Sequence, residues 1–404
     1  MDRASEASRG DEPHPEVALA RELAVWLEQQ AERIERDGRI PDDVAQRLTA
    51  AGLFRLTLPP RYGGMGVEPR VAWEATMAIA AGCGSCAWVH GLGSANVLMI
   101  GKFPKQAQDE VFGGGRPAIV PMLTGGVGHD IRTEPRPGGV MLSGRWRYAS
   151  GIDVASWVGL LVPLPAVEPD AEGEPHVVLV PREAFSIDHG SWRVLGMRGT
   201  GSKDIALAPT FVPEHRWMRW STLQAGERHP DCPNPERVYD FPLTTVFAMS
   251  VLAPTLGVAS AVVDEYARIV RHRVASGTRE HAIGDKITHV ALAQARAEID
   301  LLIQVLLADS DMVMRRVADG AALTMHERAS LRMKFAVAAR RALQTCQQLF
   351  ASLGGSLLPS GSRIERQFRD LHAMCSHFLL QPEPIGEAYG RLMLGLELPP
   401  TARL

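Results

Sequence analysis

Trp146-Arg147-Tyr148-Ala149-Ser150-Gly151 is the stretch on which the fold turns. It closes an apolar run that starts at Val140 and reads as a strand, then gives way to small residues that turn the chain and present the Ser150 hydroxyl. Its neighbours have the same character. Ala118–Met122, Val140–Trp146, Trp157–Pro163, Val177–Pro181 and Asp204–Val212 are short runs between Gly and Pro, and in the last Ile205, Leu207 and Phe211 fall on one side by alternation. Five or more short strands without a long helix between them predict a small β-barrel or sandwich, not a doubly wound parallel sheet.

On both flanks the periodicity becomes helical. Val17, Ala20, Leu23, Ala24 and Leu27 recur at steps of three and four, which is one helix face. Pro41-Asp42-Asp43 opens a second helix with acids at its positive end, and Ala51-Gly52 closes it. Leu58-Pro-Pro-Arg-Tyr-Gly-Gly-Met-Gly66 suits a loop alone. Beyond Phe241, one stripe runs through Leu292, Ala295, Ile299, Leu302, Ile303 and Leu306. A second runs through Leu331, Phe335, Ala338, Ala342, Leu349 and Leu353, capped by Gly354-Gly355. Pro254 is expected to start or kink its helix. Gly226 to Phe241, rich in Pro, Arg and Asp, reads as a long surface loop shaping access to a pocket. The expected domains are a disordered lead-in (1–15), an N-terminal helical domain (16–115), a β domain (116–225) and a helical bundle with its preceding loop (226–404).

Composition narrows the class of protein. A chain of 404 residues, 46% hydrophobic and 22% charged with net charge −3, offers no electrostatic reason to bind nucleic acid or an anionic membrane. The polar segment before Pro15 has no apolar core of a secretory signal, so a cytoplasmic enzyme is expected, with no membrane span. Five scattered cysteines form no disulfide framework. Cys83-Gly-Ser-Cys86 has metal-ligand spacing but no second pair, so no metal site is expected.

There is no GxGxxG after a strand, no Walker loop and no GxSxG, which removes the usual Rossmann, phosphate-loop and hydrolase readings. A looser series remains: Cys83-Gly-Ser-Cys-Ala-Trp88, Phe103-Pro-Lys-Gln-Ala-Gln-Asp-Glu110, Trp146–Gly151, Gly196-Met-Arg-Gly-Thr-Gly-Ser-Lys-Asp204, Arg271-His-Arg273 after Tyr266, Leu353-Gly-Gly-Ser356, Arg366 with Arg369-Asp370, and His377. In order and spacing it resembles the two-component, flavin-dependent monooxygenases built on the acyl-CoA dehydrogenase fold, which include the oxygenase components of 4-hydroxyphenylacetate 3-hydroxylases and the nitrososynthases. The resemblance covers nearly all of the chain after residue 15. It implies a mainly α fold with a central β domain: an N-terminal helical domain, a small barrel or sandwich, and a C-terminal four-helix bundle.

The resemblance also implies a site. Trp146, Tyr148, Ala149 and Ser150 would lie along the flavin, with Ser150 accepting from the flavin N5–H so that a C4a-hydroperoxyflavin does not lose peroxide. Thr200 and Ser202 would be further flavin contacts. Arg271 and Arg273 would reach the flavin phosphate of a neighbouring subunit, Gly354 and Gly355 would cover the flavin, and Arg369 would belong to the same cofactor set. His377 would act near the reacting oxygen, alongside Ser150 and Asn96. Trp88, His90, Asn96 and Phe378 would face substrate, with Trp157 a further aromatic candidate. The cofactor would be FMN or FAD, reduced by a separate NAD(P)H:flavin reductase, with dioxygen and a small molecule as substrates, in a homotetramer.

Two departures shape the chemistry. Asn96, eight residues after Trp88, stands where the family commonly has a second His, and Asn cannot act as a base. His90 on the same segment could compensate. Phe378 stands where dehydrogenases of this fold often carry a catalytic Glu. The expected activity is therefore hydroxylation of an aromatic or polyketide-like molecule. The alternatives are N-oxidation of an amine or amino sugar, an acyl-CoA dehydrogenase whose base is Glu265 or Glu298, and a non-catalytic bundle that has lost its flavin.

Overall fold

The three- and four-residue apolar series decide where each helix goes. In the computed structural model, which describes residues 14–115, 119–125, 128–164, 173–273, 282–357 and 359–398, α1 (Pro15–Asp37) buries the whole series from Val17 to Ile34. The expected disordered lead-in lies almost wholly outside the described residues. Helix α2 (Asp42–Ala50), α3 (Pro69–Gly82), α4 (Gly84–Ile100) and α5 (Lys105–Phe112) complete the N-terminal part. Every residue of α4 except Leu92 is buried, so α4 is an internal helix with walls on all sides.

After α6 (Trp220–Ala225), the C-terminal part holds α7 (Leu243–His272), α8 (Lys286–Ala318), α9 (Met325–Leu353), α10 (Arg363–Cys375) and α11 (Pro382–Met393). Helix α7 is long and apolar enough to cross a bilayer, but 94% of its most apolar window is buried inside the protein. It touches α3, α4, α8, α9 and α10. Pro254 neither starts α7 nor ends it. Proline has no N–H for the Ser250 carbonyl, and Gly91 of α4 packs on that oxygen, where a Cβ would come within 2.6 Å. The missing hydrogen bond and the missing side chain together let α4 and α7 approach.

Between these parts sit eight strands: β1 (Met122–Leu123), β2 (Gly128–Arg136), β3 (Gly139–Ala149), β4 (Trp157–Leu164), β5 (Glu174–Pro181), β6 (Phe185–Asp188), β7 (Lys203–Pro213) and β8 (Trp217–Arg219). They form two four-stranded sheets in the orders β1-β4-β5-β8 and β2-β3-β7-β6. Strand β2 was not foreseeable from hydrophobic pattern. It lies at a sheet edge with both faces largely solvated, so backbone pairing with β3 holds it and apolar alternation does not.

Two expectations need correction. Phe211 does not share the inward face with Ile205 and Leu207; it is 44% exposed and Val212 is buried. Leu142 pairs with Thr210 and Gly144 with Leu207, so β7 carries one extra residue there, and such a bulge reverses the in–out phase beyond it. The Gly226–Phe241 segment is a pinned strap, not a loose surface loop. Asn234, Val238 and Tyr239 are buried, Asn234 Nδ2 donates to Gly101 O at 2.8 Å, and the Tyr239 hydroxyl donates to Thr57 O at 3.1 Å. Arg228 ties the strap to itself through Asp240 and the Glu236 carbonyl.

Candidate active site

The end of β3 is built to present Ser150. Trp146 pairs with Ile205 but Ala149 pairs with Lys203, so β3 bulges at Arg147 and Tyr148. Tyr148 takes φ +68°, a left-handed conformation that costs a non-glycine residue about 1–2 kcal/mol. The facing loop between β6 and β7 is held likewise, with Met197 at φ +56° and Gly201 at φ +53°. Gly151 N donates to Thr200 O at 2.8 Å and joins the two turns. The Trp146 side chain is fully buried and donates to Leu161 O at 3.4 Å, so only its backbone remains for a ligand.

Three hydroxyls then form a chain with a fixed direction. Thr200 Oγ1 donates to Met197 O at 2.9 Å. A hydroxyl has one hydrogen to give, so at its 2.6 Å contact with Ser202 it must accept. Ser202, having donated to Thr200, accepts in turn from Ser150 at 2.7 Å. Ser150 is left with its proton engaged and its lone pairs free. It is a prepared acceptor.

That acceptor opens onto a cavity between α4 and the β sheets. Val89, Leu92, Gly93 and Asn96 of α4 form one wall; residues 119–123, Tyr148 and Ser150 form the other. Asn96 is only 3% exposed and its Oδ1 accepts no hydrogen bond from any of the described residues. Buried acceptors without a donor are uncommon in folded proteins and point to a missing partner. The Gly226–Phe241 strap, expected to line this pocket, is not among its walls, because its side chains are spent on anchoring.

His90 does not reach the cavity. Its Nδ1 lies 2.7 Å from Thr76 Oγ1 and its Nε2 lies 3.0 Å from Leu53 O, and burial pulls its pKa down to about 4. Both nitrogens serve packing between α3, α4 and the turn at Leu53. It is no substitute for a second site histidine. Trp157 is also absent from the walls; its ring carries the Arg216 guanidinium 5.0 Å above it.

His377 caps the 3₁₀ turn Phe378–Leu380 and meets the edge of Trp88, ring centroids 5.3 Å apart. Its Nδ1 accepts from Leu379 N at 3.3 Å. Burial, then the Arg332 charge, pulls its pKa down to about 4. The ring is thus neutral at ordinary pH with its one proton on Nε2. His377 is a hydrogen-bond donor there, not a ready base. Phe378 is 44% exposed.

The remaining sequence candidates divide into two structural devices. Arg369 binds Glu365 and Glu35, each at 2.5 Å, and donates to Leu195 O at 2.9 Å; its donors are engaged within the chain, in place of the expected cofactor contact. Beside it, Asp370 Oδ1 accepts from Met197 N at 2.5 Å. A Cβ on Gly196 would stand 2.2 Å from Arg369 O. This pair therefore latches α10 onto the loop that carries Thr200 and Ser202, a role that the sequence motif did not disclose. At the other end of α7, Arg273 donates to Ser352 O at 2.7 Å beside Gly354 and Gly355, while Arg271 is exposed. Gly354 takes φ +54°, ψ −134°, where α9 ends.

No dehydrogenase base emerges. Glu265 is 2% exposed but is held by Arg268, with Arg363 at 3.7 Å, and Glu298 is taken by Arg341 and Thr345. Among the described residues no cluster of three His, Cys, Asp or Glu could hold a metal. A reduced flavin fits what is present: an acceptor for its N–H at Ser150, a wall of backbone at residues 148–150, and a mainly apolar facing wall from α4.

Comparisons with known proteins identify the family and the fold. The models of the acyl-CoA dehydrogenase N-terminal and C-terminal domains match residues 18–112 and 249–382. The chain is 30% identical over 385 residues to the oxygenase subunit HsaA of a flavin-dependent monooxygenase from Rhodococcus jostii, covering 94% of this chain and 98% of that one. It is 29% identical over 416 residues to the oxygenase component of an FADH2-dependent resorcinol hydroxylase from a Rhizobium species, covering 98% and 99%. The crystal structure of 3-HSA hydroxylase from Rhodococcus sp. RHA1 superposes with a TM-score of 0.88 at 28% identity, covering 96% of this chain and 99% of that one. With the fold and these relatives in agreement, the chain belongs to the two-component flavin-dependent monooxygenases of acyl-CoA dehydrogenase fold, as an oxygenase component that uses reduced flavin supplied by a separate reductase.

Proposed function

We propose that this oxygenase hydroxylates an aromatic or polyketide-like small molecule in the cavity between α4 and residues 148–150. The observation that carries the reading is the hydroxyl chain Thr200–Ser202–Ser150, which leaves an acceptor on the wall of an uncharged cavity. Bound reduced flavin supplies the electrons that activate dioxygen and deliver one oxygen atom to the substrate. Ser150 holds the flavin N–H. Tyr148 and Ala149 offer backbone along the ring, and the apolar side chains of α4 exclude water. His377, which is not among the walls of this cavity, is assigned by the family resemblance to steady, through Nε2–H, negative charge that would develop on oxygen. Trp88 holds the His377 ring edge-on. Named relatives act on aromatic compounds, resorcinol among them, and this favours C-hydroxylation over N-oxidation.

Arg273, with Arg271 and the Gly354-Gly355 turn, is assigned to the flavin phosphate, as FMN or FAD. A homotetramer is supported by α8, where Ile287, Val290 and Leu301 are 79%, 55% and 67% exposed on one helical face. A cytoplasmic setting accords with five free cysteines. The test is turnover with a flavin reductase, NADH and isotopically heavy dioxygen, reading product mass and peroxide. A hydroxylated arene carrying one heavy oxygen supports the reading. Reduced flavin oxidised at the same rate with and without the protein, and no product from any arene, would refute it.

A further inference from the structure

We infer that the substrate is an uncharged hydroxyarene that binds with its hydroxyl still protonated, donating to Asn96 Oδ1. The inference rests on the reading of this cavity as the oxygenation site, and three features of the cavity carry it. The first is the orphaned acceptor. Asn96 lies on a cavity wall, and its Oδ1 is buried with no donor among the described residues, so a ligand O–H reaches it by a turn of the Asn96 amide. Leaving it unpaired under a bound apolar ring costs stability that a ligand O–H recovers, whereas an ether or carboxylate at that point recovers nothing.

The second feature is charge. Of the described wall residues, only Asn96, Tyr148 and Ser150 have polar side chains, and none is charged. A carboxylate drawn in among Val89, Leu92, Ile119 and Leu123 would lose its water and meet no cation on the walls. Aryl acids are therefore poor ligands and neutral phenols good ones.

The third is the lack of a base. Asn96 cannot take a proton, the Ser150 proton is engaged with Ser202, and Nδ1 of His377 is occupied by the Leu379 N–H. Tyr148 is the only titratable side chain on the described walls. The hydroxyl therefore keeps its proton on entering the site.

The experiment is equilibrium dialysis of 2-naphthol, 2-methoxynaphthalene and 6-hydroxy-2-naphthoate against the reduced-flavin-loaded oxygenase without oxygen, so the readout is independent of turnover. The naphthol should bind at least about tenfold more tightly than either analogue. In Asn96→Leu, naphthol affinity should fall to that of the methyl ether while the ether itself loses little. Bound 4-nitrophenol should lose its yellow colour at pH 7, because the neutral form is selected. Equal binding of naphthol and ether, tighter binding of the naphthoate, binding of none of the three, or a deeper yellow on binding each overturns the inference. Oxygenation of some other compound under those outcomes would leave the proposed function intact, and the two failures are told apart in that way.

Discussion

Ser202→Ala tests the direction of the hydroxyl chain. In the wild-type protein the Thr200 proton goes to Met197 O at 2.9 Å, the Ser202 proton to Thr200 at 2.6 Å, and the Ser150 proton to Ser202 at 2.7 Å. Removing Ser202 leaves the Ser150 oxygen in place but takes away the acceptor that occupied its hydrogen. The Ser150 hydroxyl can then turn, and its readiness to accept from a flavin N–H is reduced by about one net hydrogen bond, about 1 kcal/mol. That corresponds to about fivefold more peroxide lost per hydroxylation event. Ser150→Ala removes the acceptor altogether and should uncouple more strongly, about tenfold or beyond. Ser202→Thr keeps a hydroxyl and should restore most of the coupling. The assay measures peroxide released against dioxygen consumed with reductase and excess substrate. Ser202→Ala coupled as wild type while Ser150→Ala uncouples would refute the ordered chain, and so would a larger defect in Ser202→Ala than in Ser150→Ala.

Four further outcomes are expected. Burial pushes Asp370 from its ordinary 3.8 up to about 6, so its contribution is full at low pH and lost as pH rises through 6; Asp370→Asn, which keeps an acceptor for Met197 N–H, should gain on wild type by up to about 3 kcal/mol between pH 4 and pH 8 in denaturant titrations. With the His377 pKa pulled down to about 4, protonation threatens only below the neutral range; His377→Ala should slow hydroxylation about tenfold or more without changing the shape of the rate profile between about pH 6 and 8, and an inflection near the ordinary histidine pKa of about 6.5 that the variant lacks would contradict this. Gly196→Ala forces a Cβ to within 2.2 Å of Arg369 O; calorimetry should show about 1–3 kcal/mol lost, with weaker flavin binding because the Thr200–Ser202 loop is displaced. Leu301→Glu, on the exposed face of α8, should lower the assembled mass seen by light scattering, whereas an unchanged mass would place the subunit contacts elsewhere.

Much of this was legible in the order of residue types. Helix α1 follows its three- and four-residue apolar spacing, β3, β4, β5 and β7 their apolar runs, and α2 its acidic start and glycine end, because local periodicity and capping are properties of neighbours in the chain. Strand β2 lay beyond that reach, since an edge strand is made by its partner's hydrogen bonds. The inward position of Val212 in place of Phe211 likewise depends on a bulge whose site is set by pairing across the sheet.

The site divides in the same way. Ser150, Thr200, Ser202, Asn96 and His377 became site candidates through the family resemblance of the motifs that carry them. That His90 is bound to Thr76 and Leu53 and faces away could not be read in that way, nor that Arg369 and Asp370 form a latch. The sequence by itself determined which side chains were available and on which elements they ride: a hydroxyl after a strand, an amide on an apolar helix, an imidazole at a helix end. Only the tertiary structure decided what each can do, because a hydroxyl is donor or acceptor, and an imidazole base or donor, according to the groups that reach it from distant parts of the chain. Met197 O directs the proton of Thr200 and thereby that of Ser150, Leu379 N takes the lone pair of His377, and none of the described residues takes that of Asn96.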